Sequence, residues 1–302
     1  MKNTLLPILM FIVSIAWGQK PILPDFHADP SAHYWDGKYW IYPSTDEPGS
    51  TTWKQMKRWS CYSSTNLVDW KDEGEIFSLD DISWANDAAF APDAVKWKGK
   101  YYFVFPASFQ IGIAVSDKPN GPFVDAIGKP LIGFKELKGV NTFDPCLFVD
   151  EDHTPYIYYG AGGVGFAKMK DNMIELDGEL QKLPLKYYHE GIWVHRYKNT
   201  YYFTYPRQYK NPETGVITQE LVYSTAPTPS GPFTFCGTFL VNNSRNSHHS
   251  IIEIQGRWYL FYHIEGESAY ERRVCVEYLE YDDKGRIKMV KMTKKGIKPL
   301  SH

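Results

Sequence analysis

A short polar turn followed by an aromatic strand occurs five times in this chain, and this repeat constrains the fold more than any other feature. The copies lie at residues 37–42, 99–104, 153–158, 199–203 and 256–261. They recur at steps of roughly 45 to 60 residues, and each is followed by a second strand-like segment. All-strand repeats of this length indicate propeller blades, each a four-stranded antiparallel sheet. We therefore predict an all-β fold consisting of a single five-bladed β-propeller.

The first 18 residues have the pattern of a secretory signal peptide. Lys2 precedes an apolar run from Leu5 to Trp17, and the small residues Ala16 and Gly18 suit a cleavage site. The run is too short to span a membrane. We expect residues 1–18 to be removed on export to the periplasm or the medium, and residues 19–302 to form the propeller.

Composition limits the partners of this chain. Its aromatic content of 16% favours strands, and flat aromatic rings also suit stacking on sugars. The formal net charge of -2 leaves no basic excess to neutralise phosphates, so we expect no nucleic acid partner. The lysines at residues 288–298 predict a solvated strand face rather than a binding patch. No other apolar run is long enough for a membrane span, so no membrane partner is expected.

The four cysteines match no metal-binding spacing. Cys61, Cys146, Cys236 and Cys275 each lie in or beside an apolar run, which favours buried free thiols. An oxidising compartment could alternatively pair them into two disulfides.

A singular polar or ionisable residue stands a few residues before each aromatic strand. The five are Asp29, Asp93, Asp144, Glu190 and His248. Because the innermost strand of each propeller blade lines the central channel, equivalent positions on five such strands form a ring at one opening. Crowded carboxylates raise the pKa of at least one of their number. A protonated carboxylic acid beside an ionised one is what glycoside hydrolysis requires, so this ring is the predicted active site.

At these residues the chain resembles glycoside hydrolase family 43, the five-bladed propeller enzymes that remove arabinose and xylose from plant polysaccharides. The likeness extends from about Pro24 to about Ile287. The matching segments are ADPS at 28–31, Trp84 with APDA at 91–94, FDP at 143–145, EG at 190–191, HHSI at 248–251 and RRVCV at 272–276.

The resemblance implies a role for each of three carboxylates. Asp29 is expected to be the general base that activates water, and Glu190 the general acid that protonates the leaving oxygen. Asp144 is expected to orient the acid and help keep its pKa raised. The implied reaction is a single displacement with inversion at the anomeric carbon, which needs no cofactor.

The resemblance further implies a calcium ion or a water cluster in the channel near His248. The adjacent His249 should point to the opposite side of its strand. Arg272 is expected to contact the sugar, although the neighbouring Arg273 could take that place. Asp93 either binds substrate or fixes the loop that follows Trp84.

Three aromatic residues are candidates for stacking on the sugar or, equally, for packing between blades. They are Trp84, Phe109 and Trp193. The loops at 53–59 or 82–90 could form the wall of a pocket.

We therefore expect an exported, exo-acting α-L-arabinofuranosidase or β-xylosidase. Its substrates would be arabinan, arabinoxylan or xylo-oligosaccharides. The alternatives are an endo-acting arabinanase, a sugar-binding propeller without catalysis, and a propeller glycosidase acting on fructosides or galactosides.

Overall fold

The computed structural model describes residues 19–213 and 215–300, and within them it has five antiparallel sheets built from nineteen strands. Blade 1 contains β1 (His27–Trp35), β2 (Lys38–Thr45), β3 (Arg58–Ser64) and β4 (Trp70–Ser78). Blade 2 contains β5 (Asp93–Trp97), β6 (Lys100–Ala107), β7 (Gln110–Ser116) and β8 (Val124–Asp125). Blade 3 contains β9 (Cys146–Val149), β10 (Pro155–Tyr159), β11 (Val164–Met169) and β12 (Leu176–Leu183). Blade 4 contains β13 (Trp193–Tyr197), β14 (Thr200–Lys210), β15 (Ile217–Ala226) and β16 (Thr234–Ser244). Blade 5 contains β17 (His249–Ile254), β18 (Arg257–Ile264) and β19 (Arg273–Leu279).

The predicted five-bladed propeller is confirmed, and the five aromatic repeats are β2, β6, β10, β14 and β18. Blade 5 differs from the expected pattern because its sheet has three strands among the described residues. The backbone N–H of Ile22 donates to the carbonyl of Val274, at 2.8 Å, on the outer side of β19. The start of the described chain therefore lies against the last blade and helps to close the circle.

The innermost strands of the five blades surround the channel. Strand β1 contacts β5, β5 contacts β9, β9 contacts β13, β13 contacts β17, and β17 returns to β1. Residues at the same end of these strands therefore face one another across the channel opening.

Aromatic side chains fill the interfaces between blades. One buried cluster joins blades 1 and 2, others join blades 2 and 3 and blades 5 and 1, and a larger one spans blades 3, 4 and 5. One contact recurs across two of these interfaces. The Tyr42 hydroxyl donates to the carbonyl of Pro119, and the Tyr158 hydroxyl donates to that of Pro229, at 2.6 and 2.8 Å. Packing of aromatic rings in these clusters explains why Tyr, Phe and Trp dominate the repeat.

All four cysteines are free, as the sequence analysis favoured, but not all of them are buried. Cys61, Cys146 and Cys275 are enclosed by strands, whereas Cys236 is exposed. Burial raises the pKa of the Cys61 thiol well above its usual value, which keeps that thiol protonated and unreactive.

The signal-peptide prediction concerns residues 1–18, which lie outside the described residues. Within the part of the chain that the structure describes, no helix is long and apolar enough to cross a membrane.

Candidate active site

A cavity of about 330 Å³ lies at one opening of the channel. Asp29, Asp144 and Glu190, the three predicted catalytic carboxylates, all line it, together with His248 and Arg272. The remaining lining residues are Thr52, Trp53, Lys54, Met56, Phe90, Ala91, Phe109, Phe143 and Asn246. The lining thus combines carboxylates with aromatic side chains.

Asp29 and Asp144 have the same unusual backbone conformation. Each has a positive φ, 51° and 50°, and each is followed by a proline. In β1 the pairing with β2 shifts between Ala28 and Ser31, so Asp29 sits in a bulge. Left-handed φ is strained for most L-residues, and Asp and Asn tolerate it best. Such strain is characteristic of functional positions.

Asp29 is buried and held as a carboxylate by positively charged and polar neighbours. Nη1 of Arg272 donates to its two carboxylate oxygens at 2.9 and 3.1 Å, and the Ser44 hydroxyl also donates to it. Burial alone would raise the pKa of Asp29. The opposing effects of Arg272, His263, His248 and Ser44 lower that pKa to about 2. This side chain is therefore ionised at neutral pH.

His263 beneath Asp29 has a defined tautomer. The backbone N–H of Asp29 donates to Nδ1 of His263 at 3.1 Å, so Nδ1 must be unprotonated. Nε2 then carries the hydrogen and donates to the carbonyl of Asn246 at 3.1 Å. Burial lowers the pKa of His263 to about 4, so the ring supports Asp29 as a neutral imidazole.

Asp144 has the opposite electrostatic environment. Burial, then repulsion by Glu190 and by Asp29, raises its pKa well above the usual value. Its oxygen accepts a hydrogen bond from the backbone N–H of Gly191 at 3.1 Å, which ties it to the residue after Glu190. Two aspartates in one cavity thus have pKa values shifted in opposite directions, which favours a proton on Asp144 beside an ionised Asp29.

Glu190 is held by two amide side chains. Nε2 of Gln219 and Nδ2 of Asn246 both donate to its Oε1, each at 2.9 Å. Gln219 comes from β15, whereas Asn246 lies in the loop before β17. The carboxyl therefore has a fixed orientation at the cavity surface, where 14% of its side chain is exposed.

His248 lines the cavity, and His249 points away from it. A Cβ on residue 191 would lie 2.6 Å from Cδ2 of His248, so only glycine fits beside this ring. Nδ1 of His248 accepts the backbone N–H of His249 at 2.9 Å, while its buried Nε2 has no partner among the described residues. His249 instead contacts the Thr204 hydroxyl within blade 4, at 2.7 Å.

The residues around His248 do not form a calcium site of their own. Calcium takes six to eight oxygen ligands. The described residues hold no group of three His, Cys, Asp or Glu side chains placed to bind a metal ion. The oxygens of Asp29 already accept from Arg272 and Ser44. Protein side chains alone therefore do not provide the ligands of a calcium ion near His248. The calcium ion stays a prediction, and the steps derived below use no metal.

Asp93 lies within the channel and does not line the cavity. Its carboxylate accepts from the Ser31 hydroxyl and from the backbone N–H of Leu147, both at 2.6 Å. Nε2 of His33 is 3.1 Å away. Asp93 thus connects β1, β5 and β9, which matches neither of the roles expected for it, sugar binding or fixing the loop after Trp84.

Of the three candidate stacking residues, only Phe109 lines the cavity. Trp84 stacks on Phe105 and donates its indole N–H to Asp125 at 2.9 Å, within blade 2. Trp193 is buried and donates to the carbonyl of Ile251 at 2.9 Å, between blades 4 and 5. Blade packing therefore accounts for both tryptophans.

Arg272, rather than Arg273, lies in the cavity. Asp46, which the sequence analysis missed, orients it: Nε of Arg272 donates to Asp46 Oδ2 at 3.0 Å, and Nη2 donates to Oδ1 at 2.7 Å. The ring of Trp53 covers the guanidinium at 4.5 Å. Arg273 instead covers the ring of Phe26 at 4.6 Å, outside the cavity.

Five polar contributors to the site were absent from the predicted set: Ser44, Asp46, Gln219, Asn246 and His263. Asn246 lies two residues before His248, so its proximity to the predicted ring was a usable signal. Gln219 is on the third strand of blade 4 and reaches the cavity through the pairing of β14 with β15. Nothing in its local sequence marks it.

Comparison with known proteins decides the family. The model for glycosyl hydrolases family 43 matches residues 18–287, nearly the whole described chain. The chain belongs to glycosyl hydrolase family 43. Among its relatives is a β-xylosidase of Xylanibacter ruminicola, 32% identical, with 88% of this chain and 97% of that protein covered. Xylosidase/arabinosidase 43A of Humicola insolens is also 32% identical, covering 88% and 98%.

Solved structures of family 43 enzymes have the same fold as this chain. A β-xylosidase/α-arabinofuranosidase from a compost metagenome, described as a calcium-free form in complex with xylotriose, has a TM-score of 0.79 at 29% identity. It covers 90% of this chain and 97% of its own. An α-L-arabinofuranosidase from Clostridium thermocellum has a TM-score of 0.75 at 32% identity, covering 88% and 94%. This family 43 member is therefore a glycosidase.

Proposed function

We propose that this glycosidase is exo-acting and removes terminal α-L-arabinofuranosyl or β-D-xylosyl residues from plant cell-wall polysaccharides or oligosaccharides, with inversion. One observation carries the proposal: Asp29, held ionised by Arg272, and Glu190, held by two amides, face the same small cavity. The relatives named as β-xylosidase and xylosidase/arabinosidase support the choice of pentose substrates.

The proposed mechanism assigns one proton transfer to each side of the scissile bond. Asp29 accepts a proton from water, and the water oxygen attacks the anomeric carbon. The bond from that carbon to the leaving oxygen breaks, and Glu190 delivers its proton to that oxygen. Asp144 accepts from the N–H of Gly191, so its position is tied to the backbone beside Glu190.

A segment between β2 and β3, residues 51–57 and here called the wall segment, supports exo action. The ring of Tyr270 contacts Trp53 at 4.5 Å, and its hydroxyl donates to the carbonyl of Thr51 at 3.0 Å. On the other side, Nζ of Lys54 lies 3.3 Å from Asp87. The wall segment thus connects the loop before β19 with the loop before β5, and encloses a pocket suited to a chain end.

The test is hydrolysis of 4-nitrophenyl β-D-xyloside and 4-nitrophenyl α-L-arabinofuranoside. Asp29→Asn is expected to lower kcat at least about a hundredfold on both, the usual range for general acid–base groups. Glu190→Gln should do so on the corresponding methyl glycosides, whose leaving oxygen needs the proton. Asn also suits the positive φ of residue 29. Proton NMR of the first-formed sugar should show the inverted anomer.

Other outcomes identify the competing functions. A protein that binds xylo-oligosaccharides without cleaving either glycoside is a sugar-binding propeller. One that cleaves linear arabinan internally and leaves both glycosides intact is an endo-arabinanase. A retained anomeric configuration contradicts the inverting mechanism.

We propose also that the protein is exported. Support comes from the signal-peptide pattern of residues 1–18. Mass spectrometry of the protein recovered from its own host should show an N-terminus near residue 19. A recovered chain that retains residues 1–18 contradicts export by this route.

A further inference from the structure

We infer that Gln219 and Asn246 are positioning residues that place the acidic proton of Glu190 on Oε2. The inference rests on the proposed function, in which Glu190 is the general acid. It follows from four hydrogen bonds and from which atoms in them are obligate donors.

The amide of Gln219 has one permitted orientation. Its Oε1 accepts the backbone N–H of Ser247 at 2.7 Å. A backbone N–H only donates, so the amide oxygen must face Ser247 and the NH₂ group must face Glu190. Gln219 is 3% exposed, so water does not offer an alternative arrangement.

Asn246 is fixed by the same logic. Its Oδ1 accepts from Nη1 of Arg272 at 2.9 Å. A guanidinium has no acceptor, so the oxygen of Asn246 must face Arg272 and its NH₂ group must face Glu190. Arg272 is itself oriented by Asp46 and also holds Asp29. One set of hydrogen bonds therefore fixes the base and the acid together.

Two N–H donors thus converge on the same oxygen, Oε1 of Glu190. A proton on Oε1 would point at those hydrogens, so in the acid form Oε1 is the carbonyl oxygen and Oε2 carries the proton. Nε2 of His189 is 3.8 Å from Oε1, beyond hydrogen-bond range. The leaving oxygen must therefore approach Oε2.

The two amides also act during proton transfer. As the Oε2–H bond breaks and the leaving oxygen takes the proton, the electron pair of the glycosidic bond passes to that oxygen and Glu190 becomes a carboxylate. Hydrogen bonds to a carboxylate are stronger than those to a neutral acid. The bonds from Gln219 and Asn246 thus strengthen as the transition state forms, which is where they accelerate the reaction.

Leaving-group dependence tests this inference. A 2,4-dinitrophenyl glycoside departs without protonation, whereas a methyl glycoside requires the acid. We expect Gln219→Met to lose about tenfold to a hundredfold in kcat on the methyl glycoside, part of the usual contribution of a general acid. The loss on the dinitrophenyl glycoside should stay below about threefold. Both the methyl and the dinitrophenyl substrate carry the same pentose, xylose or arabinose, whichever the unmodified enzyme cleaves faster.

The chain supplies a matched control. Gln181 lies in β12, the outermost strand of blade 3, and is exposed. Gln181→Met should leave both rates unchanged. Asn246→Leu is a second variant of similar size that removes the N–H donor to Glu190 without adding a charge, and its loss on the methyl glycoside should likewise exceed its loss on the dinitrophenyl glycoside.

Two results would overturn the inference. One is an equal loss of kcat on both glycosides in a variant that retains the thermal unfolding midpoint of the parent, and the other is no loss of kcat on either glycoside. Those results leave the proposed function intact. An unmodified enzyme that cleaves neither glycoside overturns the proposed function and the inference with it.

Discussion

Asp29 and Asp144 show how the surroundings of a residue determine its chemistry. Both follow an aromatic or apolar residue, precede proline and have a φ near 50°. Arg272 neutralises the first, and its pKa falls to about 2. The second is buried and faces Glu190, so its pKa rises. The largest difference between their neighbours is that the guanidinium of Arg272 contacts Asp29 directly, whereas Glu190 repels Asp144.

Replacing that guanidinium should move the acidic limb of the pH profile. In Arg272→Met, burial of Asp29 is no longer opposed by the largest attractive charge, so the pKa of Asp29 rises. The base then protonates sooner on acidification, and the acidic limb of kcat/KM should shift upward by at least about one pH unit. The measurement is a pH profile on an aryl pentoside.

Arg273→Met is the control, because Arg273 contacts Phe26 outside the cavity. Its acidic limb should match that of the unmodified enzyme. An unshifted limb in Arg272→Met would show that Arg272 does not control the ionisation of Asp29.

Asp144 should destabilise the fold at neutral pH. Its folded-state pKa lies above the unfolded value of about 4. Its contribution is therefore most favourable below pH 4, and is lost as the pH rises toward the folded pKa. Asp144→Asn keeps an acceptor for Gly191 and suits the positive φ. We expect it to add about 1–3 kcal/mol to the unfolding free energy at pH 7, while kcat falls.

Chemical denaturation at pH 4 and pH 7 measures this effect. The gain should shrink at pH 4, where the isolated carboxyl is itself half protonated. A stability difference of the same size at both values of pH would exclude an ionisation effect.

At the scale of elements, the wall segment depends on one hydroxyl for its contact with blade 5. Tyr270→Phe keeps the ring beside Trp53 but removes the hydrogen bond to the Thr51 carbonyl. We expect KM to rise about twofold to tenfold with little change in kcat, since a hydrogen bond is worth about 0.5–1.5 kcal/mol. Steady-state kinetics on the aryl pentoside measures both constants.

Tyr34→Phe is a suitable comparison, because Tyr34 is half exposed on β1. It should change neither constant. A fall in kcat with constant KM in Tyr270→Phe would place Tyr270 in the chemical step instead of in the wall.

The sequence predicted the elements better than the directions of their side chains. Turn residues and aromatic strands identified β2, β6, β10, β14 and β18, because these features are local. Asp93 occupies the expected position at the start of its blade, yet its carboxylate binds Leu147 inside the channel. Trp84 and Trp193 have the right chemistry for a sugar platform but pack between strands. Spacing identifies a strand, whereas tertiary packing decides what each side chain faces.

The hydrogen bonds from two amides to Glu190 could not be predicted from the sequence for a different reason. Gln219 and Asn246 are uncharged and belong to no recurring pattern. They reach the carboxyl from a third strand and from a loop, through positions that only the assembled blade brings together.

At the scale of the whole molecule, the last 14 described residues connect three blades. The N–H of Val290 donates to the carbonyl of Phe239 in blade 4, at 2.8 Å. Thr293 contacts Glu277 in blade 5, and the N–H of Leu300 donates to Asn66 in blade 1. The lysines of the tail are exposed, as predicted, but the predicted strand is wrong, because residues 288–300 form no strand. The buried side of the tail contributes to closure of the circle.

Ile297→Ala should weaken that closure. Its side chain is 6% exposed in the cluster between blades 1 and 5, so truncation should lower the unfolding free energy by about 2–4 kcal/mol. Met289→Ala, at a residue 55% exposed in the same tail, should have little effect. Thermal unfolding of the two variants makes the comparison, and equal midpoints would contradict a role for the tail in closure.

The positive φ of Asp29 and Asp144 has an evolutionary consequence. Asparagine is the residue that best replaces aspartate in this backbone conformation, and the genetic code separates the two by a single base. At Asp144 the same change is expected to relieve a buried charge. Loss of hydrolysis is therefore accessible in one mutational step without loss of the fold, and a descendant altered in this way would keep the cavity and could persist as a sugar receptor.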